Sequence, residues 1–195
     1  RPGVMARLGL DPAALRAAHP RLVVLSLSGY GQAGPLAARP VYDNVVQAFC
    51  GLMAMTGTAA SGPLKAGAPI LDYASGTMAA FAVTAALLRR ERSGEGQHLD
   101  VAMLDTALLL MSPSISSLRN GGKAPRLHAN EHPLAAASCY AAADGALIML
   151  GACTQRQFET LCRLIGRPDL LADPRFADVR RQDPHRAALA AILAE

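Results

Sequence analysis

The sequence runs to 195 residues, with 19 Lys and Arg against 15 Asp and Glu, a length that fits one domain and part of another. The small basic excess is scattered rather than gathered into the stripe that a nucleic-acid footprint needs, so no nucleic-acid partner is expected. Hydrophobic residues make up 51% but aromatic residues only 4%, which points to a core of Ala, Leu, Val and Met and to packed helices.

Arg1-Pro2-Gly3 opens without an initiator Met, and the chain stops at Glu195 within a helical pattern, so the sequence reads as a piece of a longer protein. Asp11 to Ala18 has helical spacing, with Asp11 as N-cap and Pro12 at the first helical position, where a missing N–H costs nothing. The apolar run within Arg21 to Ser28, bounded by Pro20 and Gly29, predicts a strand of a parallel sheet covered on both faces. After a Gly/Pro loop to Pro40, helical spacing resumes from Tyr42 to Met55, and Gly57 to Pro69 is loop. An Ala-rich helix follows Asp72, ends at Ser93-Gly94 and carries Arg89, Arg90 and Arg92 near its negative end.

Gln97 to Ala102 predicts a strand, Asp105 to Leu118 a helix and Asn120 to Pro133 a polar loop. Strands at Ser138 to Ala142 and Ala146 to Leu150 flank Asp144-Gly145, a strong hairpin signal. Thr154 caps a helix to Ile165, Gly166 stops it, and Ala187 to Glu195 begins another. The resulting architecture is α/β, with a change of texture that starts a new subdomain at Ser138.

Cys50, Cys139, Cys153 and Cys162 lack CxxC spacing and read as free thiols of a reducing compartment. The longest apolar stretch, Met78 to Leu88, falls short of a bilayer span. A cytoplasmic location with no membrane partner is therefore the expectation.

Two motifs fail on context. Gly29 to Gly34 spells GxGxxG after a strand, but Pro35 and the loop to Pro40 leave no helix to meet a pyrophosphate. His128 to His132 spells HxxEH between Pro125 and Pro133, where helical presentation of a zinc pair is not expected. No metal is assigned. Asp72 carries two readings: an N-cap accepting from the N–H of Ser75 or nearby, or a nucleophile kept ionised by the positive helix end, with Gly76 leaving room for a ligand. Local chemistry leaves both open.

Ordered motifs along almost the whole chain resemble the family III CoA-transferases, the CaiB/BaiF group that includes formyl-CoA transferase. They are Arg1 to Leu10, His19-Pro20-Arg21-Leu22, Ser28 to Pro35, Tyr42-Asp43 with Gln47-Ala48, Gly51-Leu52-Met53, Asp72 with Gly76, Ala85 to Leu88, Glu91 to Gln97, Asp100-Val101 and Asp144-Gly145. The resemblance implies part of a Rossmann-like large domain with a parallel sheet over residues 1–118, a linker over 119–137 and the start of a smaller α+β domain over 138–195, in a family that forms interlaced homodimers. It implies that Asp72 attacks an acyl-CoA and forms an acyl-aspartyl anhydride, after which coenzyme A passes to a second carboxylic acid. Arg7, Arg39, Tyr42 and Asp43 fall where the family contacts coenzyme A, which is a substrate rather than a permanently bound cofactor. The related α-methylacyl-CoA racemases have His at the position of Tyr42; Tyr, with its pKa near 10, favours transfer over proton shuttling. An inactive CoA-binding scaffold is the remaining alternative.

Overall fold

The computed structural model describes residues 1–122 and 124–195, and the chain divides into two compact units, Arg1–Leu127 and His128–Glu195. The first unit opens with α1 (Val4–Arg7) and α2 (Pro12–Ala18). Asp11 caps α2 as expected, its Oδ2 accepting from the Ala14 N–H at 2.9 Å, with Pro12 in the first turn. β1 (Val24–Ser28) pairs in parallel with β4 (His98–Ala102), in the register Val24 to His98 through Ser28 to Ala102. A parallel pair needs a crossover. Here the intervening chain holds α3 (Asp43–Cys50), the short antiparallel pair β2 (Gly57–Thr58) and β3 (Gly62–Pro63), and α4 (Ile70–Ser93).

β1 is not covered on both faces as its apolar run suggested: Val24 and Ser26 are buried on one face, whereas Leu27 on the other is 41% exposed. The helix expected over Asp105 to Leu118 is two helices, α5 (Met103–Leu110) and α6 (Ser112–Gly121), broken where Pro113 enters the first turn of α6. The polar loop therefore starts later than Asn120. Val46, Leu71, Met103 and Ala107 form the buried cluster that joins α3, α4 and α5, with Val41, Ile70 and Leu104 packed on it.

By length and composition alone α4 is long and apolar enough to match a membrane span, so the shorter Met78–Leu88 estimate is corrected. It packs against α3, α5, β1 and β4, with Leu71, Ser75 and Ala86 buried and Phe81 and Leu88 exposed.

In the second unit β5 (Cys139–Ala141) and β6 (Leu147–Met149) form the expected hairpin, with Gly145 at φ +82° and the Ala146 N–H bonded to Asp144 Oδ1 at 2.9 Å. Thr154 caps α7 (Gln155–Leu164) in a reciprocal capping box with Gln157, and α8 (Arg186–Leu193) follows. Residues 135–137, read from sequence as linker, form a buried helical turn; Ala135 and Ala136 are in the core with Phe158, Cys162, Leu170, Phe176 and Leu189. Lys123, also within that stretch, lies outside the described residues.

Candidate functional site

The helix carrying Asp72 begins two residues earlier than the sequence suggested. Pro69 is the N-cap of α4 and offers no side-chain acceptor, so Asp72 is the third residue of the first turn rather than the cap. The capping expectation for Asp72 is corrected. Its physical reason is a second carboxylate: Asp43 Oδ2 accepts from the Leu71 N–H at 2.6 Å and the Asp72 N–H at 3.1 Å. The remaining early donors are met by the backbone, Ile70 by Ala68 O at 2.9 Å and Tyr73 by Pro69 O at 3.2 Å. Every N–H that a new helix leaves without an intrahelical partner is thereby satisfied.

Asp43 is itself in the first turn of α3 and is 7% exposed. Two helix N-termini therefore meet one buried carboxylate, a placement the helix dipoles favour. Its other oxygen, Oδ1, accepts from Gln47 Nε2. Gln47 is 1% exposed and uses its own Oε1 to accept from the Ala66 N–H at 2.8 Å. The chain from α3 through the 66–69 loop to α4 is thus tied by four hydrogen bonds to two side chains.

The Asp72 residue, in contrast, is exposed. Among the described residues its carboxylate accepts no hydrogen bond from the protein. It faces an open depression lined also by Tyr42, Asn44, Lys65 and the 66–69 loop. Tyr42 is 78% exposed beside it. Behind Asp72, Ser75 is fully buried and a Cβ placed on Gly76 would meet nothing within 4 Å. A carboxylate on the positive end of a 24-residue helix, open to a ligand and free of partners among the described residues, has the chemistry of an oxygen nucleophile.

Tyr42, Asp43 and Asp72 come together here, whereas Arg7 and Arg39 are exposed elsewhere and do not line the depression. Arg7 ends α1, and Arg39 lies in the loop before α3. Asp43, expected on the coenzyme A path, has both carboxylate oxygens turned inward. Sequence reasoning missed Lys65, whose ammonium donates to Ala66 O at 3.3 Å and makes no ion pair among the described residues. Its signal was a cation seven positions before the candidate nucleophile, in a loop of Gly and Pro.

The failed motifs have matching geometry. Gly31 and Gly34 sit at φ +87° and +102° in a loop, and the Gln32 N–H there donates to Asp100 Oδ2 at 2.8 Å. His128 to His132 lie in irregular chain with a turn at Ala129 and Asn130 rather than in a helix.

A family model described as CoA-transferase family III matches residues 1–195. The acetyl-CoA:oxalate CoA-transferase of Acetobacter aceti is 38% identical over 194 residues, covering 99% of this chain and 50% of that protein. The succinyl-CoA–D-citramalate CoA-transferase of Chloroflexus aurantiacus is 33% identical, covering 100% of this chain and 48% of that protein. A crystal structure of a hypothetical protein from Mycobacterium tuberculosis superposes with a TM-score of 0.87 at 36% identity, covering 100% of this chain and 51% of that one. The chain spans about half the length of the curated relatives it matches.

Proposed function

This chain belongs to CoA-transferase family III, and from that premise we propose that the protein containing it moves coenzyme A from an acyl-CoA to a carboxylic acid, with Asp72 as nucleophile. The observation that carries the reading is the Asp72 carboxylate: exposed, without a hydrogen-bond donor among the described residues, and mounted on the first turn of α4 beside an open depression. A carboxylate oxygen of Asp72 attacks the thioester carbon, the new C–O bond replaces the C–S bond, and coenzyme A leaves as the thiolate with the bonding electron pair. The product on the protein is a mixed anhydride. An acceptor carboxylate then attacks the aspartyl carbonyl carbon of the anhydride, the donor acid leaves as its carboxylate with the bridging oxygen, and attack of the thiolate on the acyl carbon of the acceptor, now joined to Asp72, forms the product thioester and releases Asp72 as a carboxylate.

Covalent capture divides one difficult exchange into easier steps, and it requires water to be kept from the anhydride. Tyr42 offers an apolar ring and a hydroxyl near the reacting carbon, and Lys65 offers a cation to an incoming carboxylate or to a developing negative charge. Arg7 and Arg39 are proposed to meet the phosphates of coenzyme A. Coenzyme A is substrate throughout, and the chemistry calls for no resident cofactor. A homodimer in the cytoplasm belongs to the same proposal.

The test is mass spectrometry of the intact protein after incubation with acyl-CoA and hydroxylamine. An acyl-aspartyl anhydride converts the Asp72 side chain to a hydroxamate, so the label should map to the peptide carrying Asp72. Asp72→Ala should abolish acyl exchange and labelling while coenzyme A binding, followed by calorimetry, persists. Unchanged turnover in Asp72→Ala would remove the assignment.

A further inference from the structure

We propose that Asp43 is a positioning residue for Asp72, relieving it of the capping role that its place on the helix would otherwise impose; this rests on Asp72 being the nucleophile. The start of α4 has two N–H groups, those of Leu71 and Asp72, that no backbone carbonyl satisfies, and its N-cap Pro69 has no acceptor side chain. A carboxylate in the first turn is the nearest candidate for such donors, which is why an Asp there usually reads as structural. If Asp72 took them, its oxygens would be drawn back onto the helix, and lone pairs given to N–H donors would be withdrawn from attack. Asp43 occupies both donors with one oxygen, at 2.6 and 3.1 Å. The Asp72 carboxylate is left without partners among the described residues.

Asp43 is held in that position from its other side. Gln47 Nε2 donates to Asp43 Oδ1, and Gln47 Oε1 accepts from the Ala66 N–H at 2.8 Å. The direction of each bond is fixed, because both ends of the chain are backbone N–H groups: Ala66 at one end, Leu71 and Asp72 at the other. A carboxylate at position 43 followed by an amide at position 47 is a combination that satisfies it. In Asp43→Asn, the new side-chain oxygen would serve Leu71 and Asp72, but the new NH2 would then confront the Gln47 amide. Turning Gln47 over to accept from that NH2 would set its own NH2 against the Ala66 N–H. One donor–donor pair remains either way, in a site where Asp43 is 7% and Gln47 1% exposed, and unsatisfied buried donors disturb local geometry. Gln47→Glu removes the conflict, since one carboxylate oxygen accepts from the NH2 introduced at position 43 and the Ala66 N–H has an acceptor again.

The experiment uses the intact protein, comparing the wild type, Asp43→Asn and Asp43→Asn/Gln47→Glu. The readouts are the single-turnover rate of thiol release from acyl-CoA per folded molecule, hydroxylamine labelling of Asp72 and coenzyme A affinity. Asp43→Asn should slow acylation roughly tenfold to a hundredfold, the scale of a displaced reacting group, with coenzyme A affinity unchanged. The double variant should recover most of that loss, because the acceptor and donor order is restored with the charge moved to residue 47. A residue that only stabilised the fold would lower the melting temperature without changing the rate per folded molecule. Acylation by Asp43→Asn within about twofold of wild type overturns the proposal, as does a folded double variant no faster than Asp43→Asn. Should Asp43→Asn fail to fold, the double variant carries the test alone: acylation near the wild-type rate supports the proposal, and a folded but slow protein overturns it. Failure of the wild type to label at Asp72 would instead remove the nucleophile on which the proposal rests, so the two failures are distinguishable.

Discussion

Phe158, Phe176, Leu170 and Leu189, each 2% exposed or less, close a core within residues 128–195, whereas the unit bearing Asp72 buries no aromatic ring among its described residues: it clusters Val46, Leu71, Met103 and Ala107, buries Val24, Ala86, Val101, Ala102 and Met111 besides, and leaves Phe81 of α4 70% exposed. What the site-bearing unit has instead is directional. Asp43 and Gln47 fix the start of α4, and at Gly96 the backbone approaches so closely that an added Cβ would lie 2.0 Å from Leu22 O. The second unit closes its core on large rings, whereas the first adds polar ties at the start of α4 and a close backbone approach to a core of smaller side chains. Tolerance to substitution should differ accordingly.

The largest effect that would sharpen this contrast is Phe158→Ala. Removing a fully buried ring leaves a cavity, and the expected loss is about 3–5 kcal/mol, read by denaturant unfolding with probes in residues 128–195. Hydrogen exchange in β1 and β4 should be little changed. A loss below about 1 kcal/mol would mean that the ring is not closing a tight core. Gly96→Ala tests the other unit and should cost about 1–3 kcal/mol by overpacking. The added methyl has no flexible side chain to displace, only the Leu22 carbonyl and the Arg21 backbone. Hydrogen exchange should rise first in β1, which follows Leu22, and a neutral substitution would break the comparison.

The sequence was most legible where the cause of a structure is local. Asp11 before Pro12, Asp144-Gly145 and the Thr154 cap each act on residues within a few positions, and each was readable, although the reciprocal bond from Gln157 was not read. Asp43 acts on Leu71 and Asp72, 28 and 29 positions away, so no local rule could place the start of α4 at Ile70. The same long-range tie turned Asp43 inward and left Asp72 open. A parallel strand at β1 was anticipated by an apolar run, but the exposure of Leu27 follows from what covers that face of the sheet, which the run does not encode. Lys65 enters the depression through the fold of a loop, beyond the reach of periodicity.

The smallest expected effect concerns acid, and it separates the units by charge. In the second unit Arg167–Asp169, Arg175–Asp173 and Arg180–Asp178 pair at 2.9, 2.7 and 2.8 Å. The Arg180 guanidinium, followed by the Arg180 backbone N–H, lowers the Asp178 carboxyl from its ordinary 3.8 to about 2. Asp173 and Asp169 are lowered in the same sense by hydrogen bonds from Arg175 and Arg167. Because the folded carboxyl releases its proton more readily, the unfolded chain binds protons first as the pH falls. The contribution of Asp178 is therefore full above about pH 4 and disappears toward about pH 2. Arg180 is largely in solvent, so screening keeps the effect small. Asp178→Asn should lower the melting temperature of the second unit slightly at neutral pH, and the difference from wild type should close on acidification through that window. A difference that persists unchanged at about pH 2 would assign the role of Asp178 to the Arg180 N–H contact, which an amide oxygen replaces imperfectly at any pH.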